Sequence, residues 1–138
     1  MATRKLSKAD FEALAGFRYQ LRRFLRFSEQ ATRRSGVTPL QYQLMLQIKG
    51  FPGRDWASVA ELAERLQAKH HGVVALLTRC EAAGLVRRQA GRGDQRVVEV
   101  QLTPAGEQQL EALARLHRDE LRSIQGGFSV PGIGTPAP

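Results

Sequence analysis

The side chains in this sequence that could do chemistry are mostly cationic and polar, and they concentrate between residues 66 and 103. Apolar residues in the first part of this stretch recur at i, i+3, i+4 and i+7, the spacing of one buried helix face. They are Val73, Leu76, Leu77 and Cys80. The opposite face carries His71, Ala75, Thr78 and Arg79, with Lys69 and His70 in the first turn. No apolar residue larger than alanine lies on this stripe, so it could approach phosphates and the hydrogen-bonding edges of bases.

A basic hairpin is predicted directly after this helix. Gly84 is suited to end the helix in a left-handed conformation, and Val98, Val100 and Leu102 then alternate at the period of a strand. The turn between the two predicted strands, residues 90–96, is rich in glycine and arginine. A helix with a polar outer face followed by such a hairpin is typical of a winged helix-turn-helix.

Other chemistries find little support in the sequence. His70 and His71 are neighbours and point about 100° apart on a helix, so they cannot face one metal ion as an i, i+4 pair does. Cys80 lies on the predicted buried face, where a thiol is usually inert. No Ser/His/Asp arrangement and no phosphate-binding glycine loop after a strand can be assembled. We therefore predict no enzyme activity, no metal and no cofactor.

The charge balance favours a polyanionic partner. The 138 residues include 21 Lys+Arg and 13 Asp+Glu, for a net charge of +8. Most of the cations are arginines, which match phosphates and base edges in a bidentate manner; a basic but inert surface is the alternative. No apolar run approaches the roughly 18 residues of a membrane span. The lack of an apolar signal region and the single cysteine predict a cytoplasmic protein.

The remaining elements are predicted to be helical, apart from one short strand. A long helix over residues 8–34 has apolar residues on more than one stripe, which suits contact with its own domain and a second subunit; the alternative is the central helix of a monomer. Further predictions are a helix starting at Thr38-Pro39, a short strand at residues 57–59, a helix over residues 60–66 and a last helix over residues 105–124. The Gly/Pro-rich residues 126–138 are expected to form a flexible tail.

Four segments of the sequence occur in an order that is fairly specific. They are residues 62–66 (LAERL), residues 79–87 (RCEAAGLVR), the pattern Asp94-x-Arg96 and residues 102–106 (LTPAG). In these segments the chain resembles the MarR (multiple antibiotic resistance regulator) family of bacterial transcription regulators. The resemblance covers roughly residues 7–125 and implies a mainly α fold with a small β-wing. It also implies one domain over residues 1–125, with a winged-helix core at about 38–103 and dimerisation helices at about 8–34 and 105–124.

The resemblance also implies roles for individual residues. Arg96 matches the arginine that enters the minor groove in this family, with Asp94 orienting it and Arg92 acting alike or gripping a phosphate. The alternative is a surface ion pair between Asp94 and Arg96. Thr38 and Arg87 are expected to contact phosphates, and the stripe from Lys69 to Arg79 is expected to enter the major groove.

Small aromatic effectors often bind family members between the dimerisation helices and the winged domain. The matching wall here would consist of Phe17, Phe24, Leu44, Ile48 and Leu113, although the same residues could form an ordinary core. The chain departs from the family in three ways. It has no room for a further C-terminal helix, carries Lys69 where a capping hydroxyl is common, and carries Cys80 where leucine is usual.

These observations predict a homodimeric regulator, most often a repressor in this family, on a pseudo-palindromic double-stranded DNA operator. A small aromatic ligand is a further expected partner. The alternative from a different class is a winged-helix module that binds a protein partner and has little affinity for DNA.

Overall fold

A computed structural model describes residues 4–91, 93 and 96–124. These residues form five α-helices and a small three-stranded antiparallel sheet, which confirms the predicted mainly α fold with a β-wing. In chain order the elements are α1 Lys8–Arg34, α2 Pro39–Lys49, β1 Trp56–Ala57, α3 Val59–Leu66, α4 His70–Ala82, β2 Val86–Ala90, β3 Val98–Leu102 and α5 Pro104–Ser123. The tail predicted at residues 126–138 lies outside the described part of the chain.

Hydroxyl side chains determine where four of the helices begin. Ser7, Thr38 and Ser58 each accept a hydrogen bond from the backbone N–H three residues on, and an acidic or amide side chain there closes a capping box. Thr103 caps α5 in the same way without the reciprocal bond. The strand predicted at residues 57–59 was placed too late, because Ser58 is already the cap of α3 and the strand is Trp56–Ala57.

The three strands pair in the order β1-β3-β2, so the central strand of the wing sheet is β3. Gln101 of β3 lies opposite Trp56 on one side and Arg87 on the other. The short strand β1 precedes α3 directly, so the sheet attaches the wing to the helix-turn-helix.

The core lies where α2 meets the winged helix and α5. Six of its largest side chains have no exposed surface: Leu44, Met45, Ile48, Leu62, Leu77 and Leu113. Burying side chains of this size is the main favourable contribution to folding, at roughly 1.5–3 kcal/mol each. The core therefore fixes α4 and α5 against α2.

The end of α4 and the start of α5 are joined at close range. Gly84 has a positive φ of 75°, and Thr103 donates from its hydroxyl to the Gly84 carbonyl at 2.6 Å and from its backbone N–H to the Leu85 carbonyl at 3.0 Å. A Cβ on Gly106 would lie 2.0 Å from the Leu85 carbonyl oxygen, so only glycine fits at this crossing. The crossing fixes the direction in which the wing leaves α4.

Large apolar side chains remain exposed on the two long helices. They are Phe11, Leu14, Tyr19 and Leu25 of α1, and Leu116 and Leu121 of α5. Of the leucine and histidine side chains of α5, only those of Leu110, Leu113 and His117 are buried, because the apolar face of this helix is wider than the core it covers. No helix in the described part of the chain is both long and apolar enough to cross a membrane.

Candidate nucleic-acid interface

Helix α4 turns one face into the core and the other to solvent. Val73, Leu76, Leu77 and Cys80 are buried. The residues predicted for the outer face are all exposed: Lys69, His70, His71, Ala75, Thr78 and Arg79. The sequence pattern therefore placed these side chains on the correct face, and their contact with DNA stays a prediction.

A tight turn between α3 and α4 orients this face. Gln67 adopts the left-handed conformation with a φ of 51°, which is uncommon for a residue with a side chain. The Ala68 N–H donates to the Ala63 carbonyl at 2.9 Å, and Lys69 is the N-cap residue of α4 but makes no capping hydrogen bond with its side chain. The first turn of α4 therefore presents backbone N–H groups and a cation at the same exposed end.

The first wing strand is attached to the outer face of α4 by Arg88, a residue that the sequence reasoning missed. Its Nη2 donates to the Thr78 hydroxyl at 3.2 Å. Its Nε lies 2.9 Å from a carboxylate oxygen of Glu81, as an ion-pair contact rather than an aligned hydrogen bond. The signal available in the sequence was only that Arg88 follows the Gly84 turn closely enough to fold back on α4.

The two candidate phosphate contacts, Thr38 and Arg87, are both exposed. The Thr38 hydroxyl accepts from the Gln41 N–H at 3.1 Å, so it lies at the first turn of α2. Arg87 donates from Nη2 to Gln101 across the sheet at 3.1 Å, which holds its guanidinium beside the wing. The phosphate contacts themselves stay predictions.

The described part of the wing tip is closed by a hydrogen bond from the Gly91 N–H to the Val97 carbonyl at 2.7 Å. Arg96 lies directly before Val97, in the turn that this bond closes, and is exposed. Arg92 and Asp94 lie outside the described residues, so the predicted Asp94–Arg96 pair is not tested.

A second arginine that the sequence reasoning missed, Arg54, lies in the loop before β1. The Arg54 guanidinium carbon lies 4.1 Å from the centre of the Phe51 ring and 3.9 Å from that of Trp56. Arg54 also pairs with Glu61 of α3. The cation–π contacts hold Arg54 between the loop and β1, and the ion pair with Glu61 joins that loop to α3.

The residues predicted for an effector wall lie in or beside the core, and their contact with a ligand stays a prediction. Leu44, Ile48 and Leu113 have no exposed surface, which fits the alternative of an ordinary core, and Phe17 and Phe24 are half-buried. A separate open groove of about 540 Å³ lies between α2 and α5. It is lined by Tyr42, Leu46, Ala114, His117, Arg118, Leu121 and Arg122.

Metal and thiol chemistry have little basis among the described residues. No group of three or more His, Cys, Asp or Glu side chains there is arranged to hold a metal ion. Burial raises the pKa of the Cys80 thiol to about 11, and the nearby Arg79 charge opposes this only in part. The thiol therefore stays protonated at neutral pH.

The sequence of this chain is similar to those of known transcription regulators. Residues 35–97 match the MarR family model. A protein of Thauera aromatica named as a transcriptional regulatory protein for the hcr operon is 31% identical over 108 residues, which cover 78% of this chain and 61% of the relative. The chain therefore spans about three fifths of that relative's length.

Solved structures share the fold over most of the chain. The crystal structure of AbsC, a MarR family transcriptional regulator from Streptomyces coelicolor, has a TM-score of 0.74 and 24% identity, and the match covers 99% of this chain and 86% of AbsC. A MarR mutant from E. coli in complex with operator DNA has a TM-score of 0.64 and 22% identity, covering 74% of this chain and 71% of that one. This chain is therefore similar to MarR family regulators in sequence over residues 35–97 and in fold over most of its length.

Proposed function

We propose that this protein is a homodimeric transcription regulator, acting as a repressor on a pseudo-palindromic DNA operator. The observation that carries the proposal is the exposed polar face of α4, which lies beside a basic wing. The opposite face of α4 is buried in the core. A helix of this shape fits the major groove, with its N-terminal residues toward the base edges. The operator complex of the E. coli relative supports the same mode.

The exposed apolar side chains of α1 and α5 support the homodimer. Phe11 and Tyr19 are 55% and 59% exposed, which is costly for aromatic side chains unless a second subunit covers them. A two-fold axis through these helices would present two copies of α4 to successive major grooves, about one helical turn apart. Because its proposed partner is genomic DNA, the protein would act in the cytoplasm.

Selection from a pool of random duplex DNA at about physiological salt tests the proposal. We expect an inverted repeat with half-sites roughly ten base pairs apart. Affinity for the selected operator should fall about a thousandfold between 50 and 200 mM salt, because binding releases cations from the DNA phosphates and added salt opposes that release. An Arg79→Ala/Arg96→Ala double variant should lose most of this affinity, with Arg115→Ala on the outer face of α5 as the control.

Three outcomes would contradict the proposal. Retained affinity in the double variant would exclude this DNA-binding mode, and no binding of wild-type protein to any duplex would favour the alternative of a protein-binding module. Binding without an enriched motif would indicate an architectural DNA-binding protein.

A small aromatic effector would fit the groove between α2 and α5 better than the wall predicted from the sequence. Tyr42, Leu46 and Leu121 offer apolar contact there, and Arg118 and Arg122 offer positive charge for a carboxylate. Benzoate added to the operator complex should then weaken DNA binding by favouring the DNA-incompetent state. A Leu46→Arg variant should not respond, whereas an equal loss of affinity in both proteins would indicate an ionic-strength effect.

A further inference from the structure

The contact between Arg88 of β2 and Thr78 of α4 determines how the Thr78 hydroxyl can form further hydrogen bonds. Thr78 is exposed on the outer face of α4, and Glu81 follows one turn later. Arg88 reaches both, donating from Nη2 to the Thr78 hydroxyl at 3.2 Å and placing Nε 2.9 Å from the Glu81 carboxylate. Because two partners hold the guanidinium, its position relative to α4 is fixed.

The single proton of the Thr78 hydroxyl already forms a hydrogen bond within the protein. The Thr78 oxygen lies 3.1 Å from the Val74 carbonyl oxygen and 3.2 Å from Arg88 Nη2. A guanidinium can only donate and a carbonyl can only accept, so the hydroxyl donates to Val74 and accepts from Arg88. One lone pair of the Thr78 oxygen remains for a ligand, so towards a ligand the hydroxyl can only accept a hydrogen bond.

We infer that Thr78 selects a base that carries an exocyclic amino group in the major groove, adenine or cytosine, and that Arg88 is the residue that positions it. The amino groups of adenine and cytosine are the hydrogen-bond donors of the major groove. Guanine O6 and N7 and thymine O4 are acceptors, and they would meet the Thr78 oxygen without a proton between them. This inference rests on the proposed DNA-binding function.

Arg88 is necessary because the hydroxyl could otherwise rotate. Without the guanidinium, Thr78 could turn its proton away from Val74 and donate it to guanine or thymine. Loss of Arg88 should therefore relax the preference at one base pair of each half-site. Preferences at the other positions should remain, because the Arg88 guanidinium contacts Thr78 and Glu81 and is not expected to contact a base itself.

Selection from random duplex DNA with variants of the full chain tests the inference. Thr78→Val removes the oxygen at nearly constant shape, Thr78→Ser keeps the hydroxyl, and Arg88→Met removes the clamp while keeping an apolar stem. Arg115→Met is the charge-matched control, because Arg115 pairs with Glu111 on the outer face of α5. All four substitutions lie at exposed or half-buried positions, and thermal unfolding of each variant checks that it is folded.

The wild-type protein, Thr78→Ser and Arg115→Met should share a position where adenine or cytosine is favoured about fivefold over guanine and thymine, as one hydrogen bond allows. That preference should fall below about twofold in Thr78→Val and Arg88→Met. Preference for guanine or thymine at the position that Thr78→Val alters, or an unchanged motif in Thr78→Val, would overturn the inference while leaving the DNA-binding function intact. A wild-type selection with no motif would overturn the proposed function and this inference with it.

Discussion

The imidazole of His117 lies against the ring of Tyr42, with 4.4 Å between the ring centres and 15° between their planes. Its Nδ1 lies 2.7 Å from the Leu113 carbonyl oxygen, so this nitrogen carries the proton and donates it. Nε2 then accepts from the Ser28 hydroxyl at 2.8 Å. One buried histidine therefore joins α1, α2 and α5.

We predict that His117→Ala lowers the free energy of unfolding by about 2–4 kcal/mol. The substitution leaves a cavity beside Tyr42 and removes the partner of Ser28. Urea unfolding at one fixed protein concentration measures the change, since a dimer makes stability concentration-dependent. His71→Ala, at an exposed position of α4, is the control and should change stability by less than about 0.5 kcal/mol. Similar losses in both variants would contradict the structural role of His117.

Gly106 and Gly72 should respond oppositely to the same substitution. We predict that Gly106→Ala costs at least about 2 kcal/mol, because the new methyl group would collide with the Leu85 carbonyl and separate α5 from the wing. Gly72 is also helical but has nothing within 4 Å of an added Cβ. Gly72→Ala should therefore stabilise the protein by about 0.5–1 kcal/mol. Thermal and urea unfolding check both, and a tolerated Gly106→Ala would mean that the crossing is looser than described.

The features that the sequence predicted well depend on local interactions. The helices predicted to start at residue 8, at Thr38-Pro39 and at residue 60 begin within one residue of those positions. Each start depends on a hydroxyl, of Ser7, Thr38 or Ser58, and on a partner three residues away, and both members are visible in the sequence. The buried and exposed faces of α4 follow from helical periodicity in the same way. These patterns were sufficient to predict the winged helix and the exposed side of α4.

The features that were missed depend on contacts between distant parts of the chain. Arg88 could not be linked to Thr78, nor Gly106 to Leu85, until the wing and α5 were placed in space. Apolar periodicity also does not say whether a face is covered by the same chain or left exposed. For this reason the sequence could not show that Leu121 of α5 is 40% exposed while Leu113 of the same helix has no exposed surface.

Cys80 gives a prediction at alkaline pH. Burial raises the pKa of the thiol to about 11, so at pH 8 only about one thiol in a thousand is ionised. Native protein should therefore react with a disulfide reagent far more slowly than protein unfolded in guanidinium. Because the pKa is higher in the folded state, the stabilisation is present below the ordinary thiol pKa and is lost as pH rises through about 11. Comparison of unfolding from pH 8 to 11 with Cys80→Ala isolates this effect, and equal pH dependence in both proteins would contradict it.

Glu61 gives a prediction at acid pH. Partial burial alone would raise the pKa of this carboxyl group, but hydrogen bonds from Ser58 and the charge of Arg54 outweigh it and lower the pKa below 4.5. Its stabilising contribution should therefore be present above pH 4.5 and be lost as pH falls through the folded-state pKa. Glu61→Gln keeps an oxygen for the capping box and should cost under about 1 kcal/mol at pH 7, and progressively less as pH falls through the folded-state pKa. A double-mutant cycle with Arg54→Met tests the cause, since additive losses would mean that Arg54 is not the partner.

Lys69 should show opposite effects on stability and on DNA binding. It stands at the N-cap of α4 without a side-chain hydrogen bond, where a hydroxyl would bind the free N–H groups and a cation opposes the helix dipole. We predict that Lys69→Ser stabilises the protein by about 0.5–1.5 kcal/mol in urea unfolding. If Lys69 contacts a phosphate, the same variant should bind DNA more weakly, and the logarithmic salt dependence should become shallower by about 1. Lys5→Ser removes the same charge away from α4 and should change neither property. A Lys69→Ser variant that is more stable and binds DNA as tightly, with the same salt dependence, would mean that the missing cap has no function at the interface.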